Sequence, residues 1–109
     1  MPPRPIITFG QAIAKARKAK GLSQKELAAL IVKDEDGKAI SPQYLNDIEH
    51  DRRSPTSDSL IRRFAKVLGE EEDYLFVLAG KIPEDLRRRA KNRDKIVEGF
   101  ANFRKTITK

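Results

Sequence analysis

Helix start and stop signals recur along this 109-residue chain, and they constrain its fold more than any other feature. Thr8-Phe9-Gly10-Gln11 and Ser23-Gln24-Lys25-Glu26 each set a hydroxyl three residues before a Gln or Glu. In that capping-box arrangement each side chain satisfies the other residue's orphan backbone N–H. Ser41-Pro42 places an N-cap before a proline at the first helical position, where the missing N–H costs nothing. Gly21, Gly69 and Gly80 stand where a helix end takes a left-handed residue. Between these marks apolar residues recur at helical spacing: Leu27, Leu30 and Ile31; Leu45 and Ile48; Leu60, Phe64, Ala65 and Leu68. The signals predict helices over 8–20, 23–31 and 41–50. A fourth is opened by Pro55-Thr56-Ser57 and closed by Gly69, and a fifth spans 71–79. Pro83 opens a last helix, which Gly99 weakens. No strand alternation is evident, so the expected fold class is all-α.

Charge divides the chain in two. Residues 1–80 carry thirteen Lys/Arg against twelve Asp/Glu, and residues 81–109 carry ten against four; balances of +1 and +6 make up the net +7. The predicted organisation is an N-terminal arm over 1–7 holding three prolines, a nearly neutral domain over 8–80, and a basic helical extension over 81–109. A chain this size buries roughly two-thirds of its unfolded surface, enough for one core. With no cysteine, disulfides, thiolate metal sites and a cysteine nucleophile are excluded, and His50 alone makes no His–His metal pair. No metal or cofactor is expected. The longest apolar run, Leu27 to Val32, is far short of the about 20 residues of a membrane span. No secretory pattern opens the chain, so the expectation is a cytoplasmic protein with no membrane association. A net positive charge favours an anionic partner, although solubility alone accounts for it equally well.

The ordered set of motifs carries a resemblance. Gly21 to Ala28, then Ile40 to Glu49, then Arg52-Arg53-Ser54-Pro55 resemble the DNA-binding domain of the phage-repressor (Cro/CI, Xre-like) helix-turn-helix family. The likeness covers about Phe9 to Ala79 and implies a five-helix repressor-like domain that reads double-stranded DNA with the helix over 41–50. It also implies that Arg17 and Glu49, standing at the family's paired positions, tie the first helix to the third.

The residues themselves support a reading helix over 41–50. Leu45 and Ile48 form a buried stripe, which leaves Gln43, Tyr44, Asn46 and Asp47 outside it and free to face a major groove. Ser41 and Pro42 open that helix. Pro42 is first a helix starter and only secondarily an apolar touch on a thymine methyl. Gln24 is placed to meet a phosphate, and Arg52 and Arg53 to clamp the flanking backbone. Each has a plainer reading as solvated surface, and Tyr44 as a ring packed on the second helix. Asp47 is unusual beside phosphates. It accepts from a cytosine amino group, pairs with a nearby arginine, or acts as a negative filter.

Two departures from the family pattern stand out. Val32 to Ala39 lengthens the turn between the second and third helices, and Asp36-Gly37 is a hairpin signal, so a small two-stranded tongue is expected. An EF-hand is excluded there, because Val32 and Gln43 fall where carboxylates are required. In the tail, Ile96, Phe100, Phe103 and Ile107 step by four, three and four, a heptad-like seam. Its uses, in order, are dimerisation, packing on its own domain, and DNA contact. Leu75 and Phe76 on the fifth helix are the other dimer candidates.

The function read from these features is a sequence-specific DNA-binding transcriptional regulator, a repressor acting as a homodimer. The alternative is a protein-interaction module of antitoxin or coactivator type using the C-terminal helix. An enzyme is not expected: no Ser-His-Asp set, metal cluster or phosphate-cradling glycine loop is present.

Overall fold

The computed structural model describes residues 7–55 and 57–108. Residues 1–6 of the expected arm, and Thr56 at the expected start of the fourth helix, lie outside them. The described residues form α1 (Phe9–Ala19), α2 (Gln24–Leu30), α3 (Pro42–Glu49), α4 (Asp58–Leu68), α5 (Glu72–Leu78), α6 (Glu84–Arg89) and α7 (Arg93–Ile107). The class is all-α.

The local signals explain where these helices start. Thr8 and Ser23 close reciprocal capping boxes with Gln11 and Glu26. Ser41 Oγ accepts from the Tyr44 amide at 3.0 Å, and Ser57 Oγ from the Leu60 amide at 3.2 Å. Each hydroxyl thereby occupies one of the four donors a helix start leaves unpaired.

One core joins the first five helices. α1 packs on α3, α4 and α5, while α2 lies against α3 and α4 against α5. Ile13, Leu27, Ile31, Leu45, Ile48, Ile61, Phe64, Leu75 and Phe76 are fully buried there. Phe9 meets Phe64 edge-on at 6.1 Å, which locks the start of α1 onto α4.

Three expectations change. The second helix ends at Leu30, not Ile31, because Ile31 turns extended and its carbonyl accepts from the Ile40 amide at 2.9 Å. The tongue is a single bridge, Val32 with Ala39, closed by a turn at Gly37, whose φ of +68° favours glycine. Asp36 holds that turn by accepting from the Lys38 amide at 2.9 Å and pairing with Lys33 at 3.3 Å. The single last helix is two. Ala90 leaves helical geometry, and Asn92 then starts α7 by accepting from the Asp94 and Lys95 amides. The asparagine cap outcompetes a continuous helix at that point.

Leu75 and Phe76 are corrected as dimer candidates. Both are 1% exposed in the core, and the Arg62 guanidinium lies over the Phe76 ring at 5.5 Å. They offer nothing to a second copy. The exposed apolar residues of α5 are Tyr74 and Val77.

α6 is fastened to α4 by Asp58. Its carboxylate accepts from the Glu84 amide at 2.8 Å and pairs with Lys81 at 3.1 Å. The Glu84 amide, and after it Lys81 and Arg62, hold the Asp58 carboxyl below the usual carboxylate range. α7 buries none of its residues, so packing of its seam on this protein's own core is not what the structure has.

α1 and α3 approach so closely at Gly10 that no side chain fits between them. A methyl built there collides with the Ile48 carbonyl oxygen and comes within 2.7 Å of Glu49 O and Asp51 Oδ1. Gly10→Ala is expected to destabilise by about 1–3 kcal/mol, as overpacking does, read as a lower thermal midpoint. Because the pKa of Asp58 is depressed on folding, its contribution is full above the unfolded carboxylate value and is lost as pH falls through the folded one. Hydrogen exchange at the Glu84 amide is therefore expected to lose protection with acid before the α1 and α4 core does.

Candidate nucleic-acid interface

A helix that reads DNA must turn one face to solvent while its other face holds it rigidly. α3 does this in eight residues. Leu45, Ile48 and Glu49 point inward and are buried, whereas Ser41, Pro42 and Gln43 are exposed and Tyr44, Asn46 and Asp47 are half-buried. Arg52 and Arg53 follow with side chains 55% and 60% exposed.

A buried charge anchors the inward face. Arg17 Nε donates to Glu49 Oε2 at 2.7 Å and Arg17 Nη2 to Glu49 Oε1 at 3.0 Å, a two-pronged pair whose side chains are 11% and 4% exposed. Arg17 Nη1 donates to the Leu22 carbonyl at 2.9 Å, which draws in the connection between α1 and α2. The hydrogen bonds to Glu49 raise the Arg17 pKa still further, so the guanidinium stays charged. No buried side-chain nitrogen or oxygen among the described residues lacks a partner.

From Glu49 a line of hydrogen bonds runs outward to the exposed face. Gln24 Nε2 donates to Glu49 Oε1 at 3.0 Å, and Gln24 Oε1 accepts from Asn46 Nδ2 at 3.3 Å. Asn46 Oδ1 accepts from Arg52 Nη2 at 2.6 Å. Arg52 Nε donates to Asp47 Oδ1 at 3.0 Å, and Gln43 Nε2 donates to the same oxygen at 3.0 Å. Arg53 stands 3.9 Å from the other Asp47 oxygen, with its guanidinium 5.4 Å above the Tyr44 ring. The Arg52 hydrogen bond first, then the Gln43 amide and the charges of both arginines, hold the Asp47 carboxyl below the usual carboxylate range.

Several sequence expectations take definite positions here. Gln24 spends both ends of its amide inside the protein, and only one N–H is left for a phosphate. Asp47 pairs with arginines, which is one of its three expected roles. Tyr44 lies under Arg53 and beside the tongue, where Ser41, Tyr44, Ser57 and Leu60 border an open groove of about 510 Å³ with Lys33, Glu35 and Asp36. His50 caps its own helix end, with Nδ1 2.9 Å from the Asn46 carbonyl. Leu75, Phe76 and the α7 seam are no part of this face.

Sequence reasoning missed Asp51. It takes a positive φ of 59° just after α3, and from there its carboxylate accepts from Thr8 Oγ1 at 2.6 Å and the Gly10 amide at 3.1 Å. A carboxylate at that helix start is favoured by the helix dipole. The available signal was the unexplained glycine two residues after the Thr8 cap.

Residues 13–75 match the helix-turn-helix family. The chain belongs to that family, which comprises DNA-binding regulators rather than enzymes. It is also similar to a multi-protein-binding factor 1 of Yarrowia lipolytica (strain CLIB 122 / E 150), 38% identical over 68 residues. Those residues are 62% of this chain, and the matched segment spans 40% of that relative's length. No solved structure matches the chain. Among the described residues no group of ligating side chains could hold a metal ion, and no helix is long and apolar enough to cross a membrane.

The Arg17–Glu49 pair makes a firm prediction. Removing either partner leaves a buried, unpaired charge, a cost of about 3–5 kcal/mol. Arg17→Ala and Glu49→Ala are both expected to unfold at markedly lower denaturant concentration. A double-mutant cycle should give a coupling energy well above that of an exposed pair, about 0.2–1 kcal/mol. Coupling near zero would show that the pair carries no stability.

Proposed function

We propose that this protein is a sequence-specific DNA-binding transcriptional regulator, a cytoplasmic repressor that works as a homodimer by occupying its operator. The observation that carries the reading is the exposed polar face of α3, fixed through Asn46 and Gln24 to the buried Arg17–Glu49 pair. Such a face is preorganised, so little ordering cost remains at binding. Residues 8–80 are the DNA-binding domain and 81–109 a basic extension. Ser41, Pro42, Gln43 and Asn46 lie on the major-groove side. Asp47 orients Gln43 and Arg52 rather than meeting phosphate itself. Tyr44, Arg52 and Arg53 flank the backbone, with the remaining amide N–H of Gln24 beside them.

Gln43 is the leading readout residue. Its amide still has one N–H and its carbonyl oxygen for a base edge, the pair of groups that a bidentate adenine contact needs. One such helix covers only a few base pairs, too little for operator-level selectivity at physiological salt. A second copy with its reading helix about 34 Å away, one duplex turn, supplies the rest.

The second reading is a protein-interaction module. It is favoured by the exposed apolar residues of α7, and the Yarrowia relative's name speaks of binding several proteins.

Selection of bound duplexes from a random pool at two salt concentrations separates the readings. A two-fold-related consensus that persists at the higher salt supports the regulator. Recovery of unselected sequence at both salts removes it. Gln43→Ala should cost about 1–3 kcal/mol of specific affinity and relax preference at one position per half-site. Arg53→Ala should instead weaken all sequences alike and lower the salt slope by roughly one.

A further inference from the structure

α7 carries an apolar seam that finds no cover among the described residues. Ile96, Phe100, Phe103 and Ile107 lie along one side of the helix, with exposures from 39% at Ile96 to 59% at Ile107. The two phenylalanine rings meet edge-on at 6.5 Å and stay about half exposed. Steps of four, three and four are those of the a and d positions of a helix pair. With Phe100 and Ile107 at a, Ile96 and Phe103 fall at d and Arg93 takes the preceding a.

The residues beside the seam decide what can cover it. In paired helices the e and g positions choose the partner by charge. Here they are Val97 and Arg104 on one edge and Gly99 and Thr106 on the other. Asp94, Lys95, Glu98 and Lys105 all fall on the outer side. An acidic partner helix would find one cation along both edges, because the arginines at 87, 88 and 89 belong to α6. A second copy of α7 meets no like-charge barrier.

Direction follows from Arg93. A parallel pair would press Arg93 against the same residue of the other copy at a core position. In an antiparallel pair the seam closes on itself with Phe100 against Phe103 and Ile96 against Ile107, while Arg93 projects past the end. Arg104 then lies beside Val97, and Gly99 beside Thr106. Gly99 leaves an edge of the pair open beside Thr106. A glycine inside a helix costs about 1 kcal/mol relative to alanine, yet a side chain at 99 would meet nothing within the protomer.

We propose that α7 pairs antiparallel with α7 of a second copy, Ile96 to Ile107 and Phe100 to Phe103. This deepens the homodimer reading above by naming the surface, and its test does not depend on DNA. Fifteen residues of helix are about 22 Å long. A contact confined to one such helix per copy is short beside the roughly 20–30 residues a side of a standard interface, so the dimer is expected to be concentration-dependent.

The full chain has no cysteine, which allows clean cross-linking. Ile96→Cys and Ile107→Cys variants, mixed under mild oxidation, should give the mixed disulfide-linked dimer, and each alone should not. Self-linking of either single variant would indicate a parallel pair and overturn the proposal. Full-length protein carrying both Phe100→Glu and Phe103→Glu should sediment at half the apparent mass of the wild type at a concentration where the latter dimerises. Its thermal midpoint should be unchanged, because α7 lies outside the core. A wild type that stays monomeric throughout, or a double variant that still dimerises, would overturn the assignment, as would a seam occupied only by a different protein. A wild type that dimerises through α7 but selects no DNA sequence would sink the regulator reading and leave this one standing.

Discussion

The exposed face of α3 depends on one buried ion pair. Arg17 belongs to α1, Glu49 to the end of α3, and the remaining reach of each goes to the connection before α2 and to Gln24 on α2. Three helices, two of them separated by the lengthened 31–41 connection, are thereby held in one arrangement. Apolar packing alone would resist sliding less firmly, because it is non-directional. A forked guanidinium meeting a carboxylate fixes both distance and angle. Burial makes that geometry compulsory, since a displaced partner leaves a charge without solvent.

A second fastening at the same end of α3 adds a different constraint. Gly10 lets the start of α1 touch the Ile48 and Glu49 carbonyls, and Asp51 reaches back to the Gly10 amide and the Thr8 hydroxyl. Both fastenings act on the C-terminal end of α3, whereas its first turn, from Ser41 to Tyr44, is held by its cap, by the Gln43–Asp47 hydrogen bond and by the packing of Tyr44. In the DNA-reading role proposed above, the anchored end would set the approach angle, and the exposed first turn would present Gln43, oriented by Asp47.

The two kinds of feature differed in how far they were legible in the sequence. Caps and stops were legible because they are local: Thr8 with Gln11, Ser23 with Glu26, and Ser41 with Pro42 each act within three residues. The helix-turn-helix class came from the resemblance carried by Gly21 to Ala28, Ile40 to Glu49 and Arg52 to Pro55. The hydrogen-bond line from Glu49 through Gln24 and Asn46 to Arg52 was not legible, because it joins residues up to 25 apart whose types are common on any surface. Leu75 and Phe76 were misplaced for a related reason. Periodicity marks an apolar face without saying what covers it, and here the core of α1 and α4 does. The break at Ala90 was readable in Asn92, a good cap inside an otherwise helical pattern.

The position of Asp47 bears on how affinity and selectivity are divided. It places a carboxylate, kept ionised by Arg52, on the face that would meet phosphates. With Arg52 and Arg53 the local balance is only one positive charge, and residues 1–80 as a whole carry +1. A face so nearly neutral gains little from counterion release, the sequence-independent term that scales with the phosphates neutralised. What it offers is oriented hydrogen bonding, with donors held in place by an acceptor that costs some general attraction. Most of the net charge lies instead at 81–109, with its +6. Separation of this kind has a physical advantage. If the proposed function holds, attraction to every duplex could be changed through the tail without altering the α3 geometry.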